Sequence, residues 1–428
     1  MLRKFAFSLV LLLMGMYPLL LEAQWHSTYF TKAALRIDYM HSGTADTEAV
    51  NFVRFVNDSV WAGNPNRLID PFGYGRYIVK VYDVASSKLI FTTGFCTLFE
   101  EWQTTEEARL ISKSFEESII IPYPKGKTRI ELWSRKRDNS MTKIQDFMYS
   151  PDSEVEHCGK IPVKITNYLA SGNCSNRLDI AVVADGYTAS EAGKFQDDAK
   201  RLTDFLLNDP AIKPMRNLIN VYFILPASIE SGTDIPGEGI WVNTALNSRF
   251  YTFGSDRYLT TASYHRLRDV VSDVPTDQII VIVNTERYGG GGIYNFYSVT
   301  CSSNAYAGKV LAHEFGHAFA ALGDEYYTSE TSYIDFYPLD VEPYQPNITT
   351  LINFDSKWKK MINDSVPVPT PDEFQYRNIL GVFEGGGYVA KGVYRPMTHC
   401  RMKELDSPFC KVCTDAIHKM TDYYTIEK

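Results

Sequence analysis

The sequence predicts a multi-domain chain: an N-terminal all-β sandwich, then an α/β (α+β) domain built on a mixed sheet. Three observations carry this. Short segments alternating apolar and polar residues, divided by turn clusters, fill residues from about 25 to 155. Strand-like and helix-like patterns then alternate from Leu178 onward. Finally, an apolar helical stretch near residue 310 carries His313, Glu314 and His317. At 428 residues the chain has room for two or three domains. With 45% hydrophobic and 22% charged residues it can bury an ordinary core. Its formal net charge of −8 gives no basis for nucleic-acid or anionic-membrane binding.

Arg3 and Lys4 precede an apolar run from Phe5 to Leu21, and Ala23-Gln24 offers a cleavage point, so residues 1–23 read as a signal peptide. No basic stop-transfer cluster follows, so the mature chain is expected to have no membrane span and to be secreted, periplasmic or displayed at the cell surface. Its removal takes away Arg3, Lys4 and Glu22, leaving −9.

In the N-terminal module, 24–157, strands are predicted around Ala34–Tyr39, Tyr77–Val84, Ser118–Tyr123 and Thr128–Trp133. Asn64-Pro65-Asn66, Asp70-Pro71-Phe72-Gly73 and Pro124-Lys125-Gly126 supply turns. The module contains no catalytic constellation, and reads as a scaffold or cap, or as a glycan- or protein-binding unit. A boundary is placed within Tyr149–Val163, and 158–428 forms the second domain. There, Leu178–Ala184 reads as a buried strand, and Thr188 with Glu191 as a capping box opening a helix with Phe195, Ala199, Leu202 and Leu206 on its apolar face. A strand at Asn220–Pro226, a helix at Leu259–Val274 and a strand at Ile279–Val283 follow. Gly289 to Gly292 lack the Gly-Lys-Ser/Thr ending of a phosphate loop, and Tyr288 to Tyr297 is the candidate edge strand for binding an extended peptide.

The helix starting near Ala307 is where chemistry is expected. His313 and His317, at i and i+4, share one helical face and can share a zinc ion, with Glu314 placed to exchange protons with an attacking water. Val310, Leu311, Ala312, Phe315, Ala318, Phe319 and Leu322 make this helix buried, where unpartnered imidazoles would be costly. The third ligand stays open between Asp324, Glu325 and a more distant residue. On an unbroken helix, Asp324 would lie roughly 16 Å from the level of His313 at about 1.5 Å per residue, so a turn helped by Gly323 is required.

Downstream, residues 326–392 form a proline-rich excursion containing two matches to glycosylation acceptors, Asn347-Ile-Thr349 and Asn363-Asp-Ser365. Met402, or alternatively Met397, is the methionine expected beneath the metal, and Tyr394, Arg395 and His399 are candidate oxyanion donors. Seven cysteines in an exported chain suggest disulfides, Cys158 with Cys174 and Cys400 with Cys410 or Cys413, leaving Cys96 over. The alternative at the C-terminus is a structural zinc on His399, Cys400, Cys410 and Cys413.

Taken together, Val182-Val183-Ala184-Asp185-Gly186-Tyr187-Thr188, His313-Glu-Phe-Gly-His317, Gly323-Asp324-Glu325-Tyr326, Tyr394-Arg395-Pro396 and Met402 resemble the immunoglobulin-A peptidase family of zinc metallopeptidases. In that family a small β module precedes a metzincin-like zincin catalytic domain. The resemblance implies a zinc endopeptidase with His313, His317 and Asp324 as metal ligands and Glu314 as catalytic base. It also implies a protein or peptide substrate, with immunoglobulin A or a host glycoprotein as candidates. The metzincin pattern itself is broken: its Gly position is Ala320 and its third His position is Gly323. Rival readings are a zinc amidase acting on peptidoglycan or glycoconjugates, and a surface binding protein with a vestigial zinc site.

Overall fold

The computed structural model describes residues 26–58, 60–158, 161–327 and 337–426. The expected signal peptide lies outside them. Among the described residues no helix is long and apolar enough to cross a membrane.

The N-terminal module holds strands β1 (Phe30–Gly43), β2 (Glu48–Asp58), β3 (Tyr77–Asp83), β4 (Leu89–Phe95), β5 (Lys113–Pro124), β6 (Thr128–Arg135), β7 (Met141–Tyr149) and β8 (Glu156–His157). They form two four-stranded sheets, ordered β5-β1-β2-β8 and β4-β3-β6-β7. The inward residues of both, Leu35, Ile37, Tyr39, Tyr77, Val79, Ile130 and Leu132 among them, fill one core. This is the sandwich that the period-2 segments predict.

Inside it sits a buried ionic pair. His41 places Nδ1 3.0 Å from Glu117 Oε2 and Nε2 3.5 Å from Glu48 Oε2. Burial alone would lower the His41 imidazole, but the Glu117 and Glu48 carboxylates outweigh it and hold it up at about 9. A pKa raised on folding means stability that is fully present below the ordinary histidine value and is lost as pH rises through about 9. The expected result is a melting temperature that falls between pH 6.5 and 9 in the wild-type chain but loses that slope in His41→Gln. Parallel melting curves for the two proteins would remove His41 as the cause.

The second domain adds β9 (Val163–Leu169), β10 (Leu178–Asp185), β11 (Ile219–Pro226), β12 (Ser248–Arg249), β13 (Thr260–Thr261), β14 (Gln278–Val283), β15 (Gly290–Ile293) and β16 (Tyr297–Cys301). Its six-stranded sheet runs β15-β16-β14-β10-β11-β9. The inner four strands are parallel and both edges are antiparallel, giving the expected mixed sheet. Thr188 and Glu191 form the capping box, and helix Ala192–Leu207 follows. The helix expected over Leu259–Val274 is shorter, Tyr264–Val271. Thr260 and Thr261 pair instead with Arg249 and Ser248.

The modules meet through buried charge. Arg36, on β1, is fully buried and reaches Asp38 at 3.0 Å, Asp58 at 3.6 Å and Asp269 of helix Tyr264–Val271. Arg54 joins the same Asp269 at 3.4 Å.

Past residue 326 the excursion folds back on the second domain. It ends in a hairpin of β17 (Phe383–Gly386) and β18 (Val389–Arg395), ahead of the last helix, Lys411–Thr425. Asn347 is fully buried, so the first glycosylation match is not available to an enzyme, whereas Asn363 is exposed.

Candidate metal centre and active-site cleft

Helix Ala307–Ala320 packs under β15 and β16 at the edge of the sheet. The four glycines explain how closely. A Cβ on Gly292 would come within 2.2 Å of the Glu314 carbonyl oxygen, and one on Gly290 within 2.5 Å of Val310 Cγ1. Only a strand without side chains can lie this near the motif helix. Gly292→Ala is therefore expected to cost about 1–3 kcal/mol by overpacking. Because it displaces the Glu314 turn, it should also lower kcat/KM by about 100-fold. Calorimetry and initial rates on the same preparation check both; an unchanged rate would mean that the strand can yield.

The helix ends at Ala321, whose φ of 52° is left-handed. Its N–H bonds to the His317 carbonyl at 3.1 Å, and the Leu322 N–H to that of Gly316 at 3.2 Å. The turn is thus made at Ala321 and not at the expected Gly323. Gly323 serves packing, since a Cβ there would meet Ile348 at 2.8 Å. The reversal returns Asp324 under the histidines.

His313 and His317 approach each other at 3.1 Å between their Nε2 atoms, and Asp324 Oδ1 lies 3.1 and 3.3 Å from them. Each Nδ1 faces a backbone carbonyl, His313 that of Arg401 at 3.0 Å and His317 that of Leu322 at 2.5 Å. A carbonyl only accepts, so the ring protons sit on Nδ1 and the Nε2 lone pairs point at one another. Three lone pairs converging in a buried place need a cation. Asp324 Oδ1 has no hydrogen-bond partner of its own. Separations near 3.2 Å also suit three corners of a tetrahedron with arms of roughly 2.0–2.1 Å. The residues present therefore fit a divalent metal.

The electrostatics agree. Burial would lower the His317 imidazole, yet the Asp324 carboxylate holds it up at about 9. Burial would likewise raise Asp324, but the two imidazoles keep its carboxyl well below the usual carboxylate range. The set draws in positive charge. Glu314 stands beside it, half-buried on the cleft floor, with burial raising its carboxyl.

Glu325 turns the other way. Fully buried, it accepts from Asn347 Nδ2 at 2.9 Å and lies 3.3 Å from Cys413 Sγ. Met402 is fully buried beneath the helix: a Cβ on Gly316 would meet its Sδ at 3.0 Å. Met397 is only partly buried.

Tyr394, Arg395 and His399 do not line the cleft. Arg395 donates to the Glu384 and Gly385 carbonyls, and exposed His399 pairs with Glu404 at 2.6 Å. The phenol brought to the site is instead Tyr388, whose hydroxyl donates to Asp324 Oδ2. Its hairpin is anchored by the Gly387 N–H on the Asp324 carbonyl at 2.8 Å and the Tyr388 N–H on that of Tyr326 at 2.9 Å. Spacing carries no sign of this contact, 64 residues away. The one local signal is Gly385-Gly386-Gly387-Tyr388, a hairpin turn with an aromatic at its end.

The expected disulfides are absent: among the described residues no cysteine is bridged. Cys158 instead places its thiol 3.3 Å from Asp269 Oδ1, while Cys174 lies beside Asn173.

The family model for IgA Peptidase M64 matches residues 166–378 and 372–421, and the one for Peptidase M64 N-terminus matches residues 26–146. The chain belongs to the IgA peptidase M64 family. No curated protein matches it. Family membership makes it a peptidase, whose substrates are proteins or peptides. Both parts of this M64 chain build the cleft, a cavity of about 1080 Å³. The second domain supplies the floor, Gly289 to Ile293 and the histidines, while the N-terminal module supplies a wall with Arg76, Arg135, Lys136 and Glu100. At the edge strand, the Leu259 N–H bonds to the Gly290 carbonyl and the Cys96 N–H to that of Tyr294, and Gly291 to Ile293 between them line the cleft.

Proposed function

We propose that this M64 peptidase is an exported, zinc-dependent endopeptidase. The observation that carries the reading is the convergence of His313 Nε2, His317 Nε2 and Asp324 Oδ1 within 3.3 Å, beside the half-buried Glu314 carboxylate that faces the cleft. His313, His317 and Asp324 would hold the zinc. When bound, zinc supplies Lewis-acid polarisation of a carbonyl and makes water a stronger acid.

The chain's own groups do the rest. The Arg401 and Leu322 carbonyls fix the imidazole tautomers, and Tyr388 holds Asp324 through its other oxygen. Glu314 takes the proton of the attacking water and returns it to the departing amine. Gly291 to Ile293 offer main-chain groups to an extended peptide. The wall given by the N-terminal module supports a role for residues 24–157 in seating the substrate, and residues 158–428 form the catalytic domain. Export rests on the basic and apolar pattern of residues 1–23. Immunoglobulin A and host glycoproteins are the proposed substrates.

The test incubates residues 24–428 with immunoglobulin A and a protein mixture, and reads new peptide N-termini by mass spectrometry. Cuts that vanish with a zinc chelator and return with zinc are the expected result. A zinc-loaded chain that cuts no protein but releases muropeptides would replace the reading with an amidase.

A further inference from the structure

A second cluster of metal-ligating side chains lies behind the catalytic one. Cys400, Cys410, Cys413 and Glu325 are all buried, with Cys400, Cys413 and Glu325 showing no exposure. Cys400 Sγ is 3.6 Å from Cys413 Sγ. Glu325 Oε1 is 3.3 Å from Cys413 Sγ and 4.0 Å from Cys410 Sγ. A disulfide needs sulfurs about 2.05 Å apart. Sulfurs about 2.3 Å from a shared tetrahedral ion lie roughly 3.8 Å apart, and a sulfur and a carboxylate oxygen roughly 3.5 Å apart. The observed separations match the second arrangement.

Two further features point to a ligand. Glu325 Oε2 is buried with no hydrogen-bond partner. The nearby guanidinium of Arg395 donates to the carbonyls of Glu384 and Gly385, and among the described residues Glu325 forms no ion pair. Cys410 and Cys413 form a Cys-x-x-Cys at the start of helix Lys411–Thr425, where the helix N-terminus favours thiolate. The Cys410 N–H also donates to Cys400 Sγ at 3.3 Å.

We infer that Cys400, Cys410, Cys413 and Glu325 bind a structural zinc ion. Three sulfur donors select zinc over magnesium or calcium. The fourth place, expected of His399, falls to Glu325, because exposed His399 pairs with Glu404. The site's role follows from its neighbours. Asp324 and Glu325 are consecutive and point to opposite sides. The Glu325 N–H bonds to the Met402 carbonyl at 2.8 Å, and Asn347 ties Gly323 and Glu325 together. The ion would clamp the 323–325 segment to the Met402 turn and the last helix, fixing Asp324 in place.

The test uses residues 24–428 purified under reducing conditions, then exchanged into cobalt or zinc. The wild-type chain should hold about two ions, and His313→Ala with His317→Ala about one. With cobalt, that double variant should keep a near-ultraviolet thiolate-to-cobalt charge-transfer band, which Cys400→Ser with Cys413→Ser should abolish. Because the catalytic histidines are gone, the band reports the cysteine site whatever the fate of the peptidase reading. A folded wild-type chain with one ion and no such band would overturn the inference. So would peptide maps of natively purified chain that recover a disulfide among the three cysteines.

Discussion

Glu314→Gln is expected to lower kcat/KM for peptide hydrolysis by about 10²–10⁴-fold, the range typical of losing a positioned general base. The amide keeps the size of the side chain, and the three converging donor atoms belong to His313, His317 and Asp324, so bound metal should be unchanged. Metal analysis beside initial rates separates the two effects. A pH signature accompanies it. Burial raises the Glu314 carboxyl, and as the proposed base it would work only when deprotonated. The rate should therefore fall, as pH drops, through a midpoint above the ordinary glutamate value. Full activity in Glu314→Gln would assign the proton transfer to another group.

The second large effect is expected at Asp324. Asp324→Ala removes the only carboxylate from the donor set and leaves the two imidazoles alone. Losing an outer-shell partner alone costs about 10–100-fold in metal affinity. Losing this proposed ligand should exceed 100-fold, read by competition with a coloured chelator. Activity should return only in excess metal, if at all. Glu325→Gln should leave the histidine set its three donors, since Glu325 faces the cysteines. If Glu325→Gln abolished binding at the histidines while Asp324→Ala did not, the ligand order would be reversed.

Much of the architecture was legible from period. The β1, β3, β5 and β6 segments alternate enough to place one face in the core, and β10 and β14 are mostly apolar and buried along their whole length because parallel strands are covered on both faces. Over Leu259–Val274 the helix is shorter than the periodicity predicts. Periodicity near Leu259 belongs to buried residues of a loop, where Thr261 donates to the Leu246 carbonyl and pairing overrides helical spacing.

By itself the sequence determined the fold class, the motif helix and the facing of His313 and His317, since i and i+4 positions follow from helical geometry alone. The tertiary structure decided the rest. It decided that Asp324, and not Glu325, meets the histidines, through a left-handed turn at Ala321 that no propensity favours. It decided that Tyr388, and not Tyr394, touches the site. It also decided that three cysteines gather around Glu325 without forming a bridge. Each of these depends on which distant segments pack together, and contacts across 64 or 88 residues leave no periodic trace in a chain.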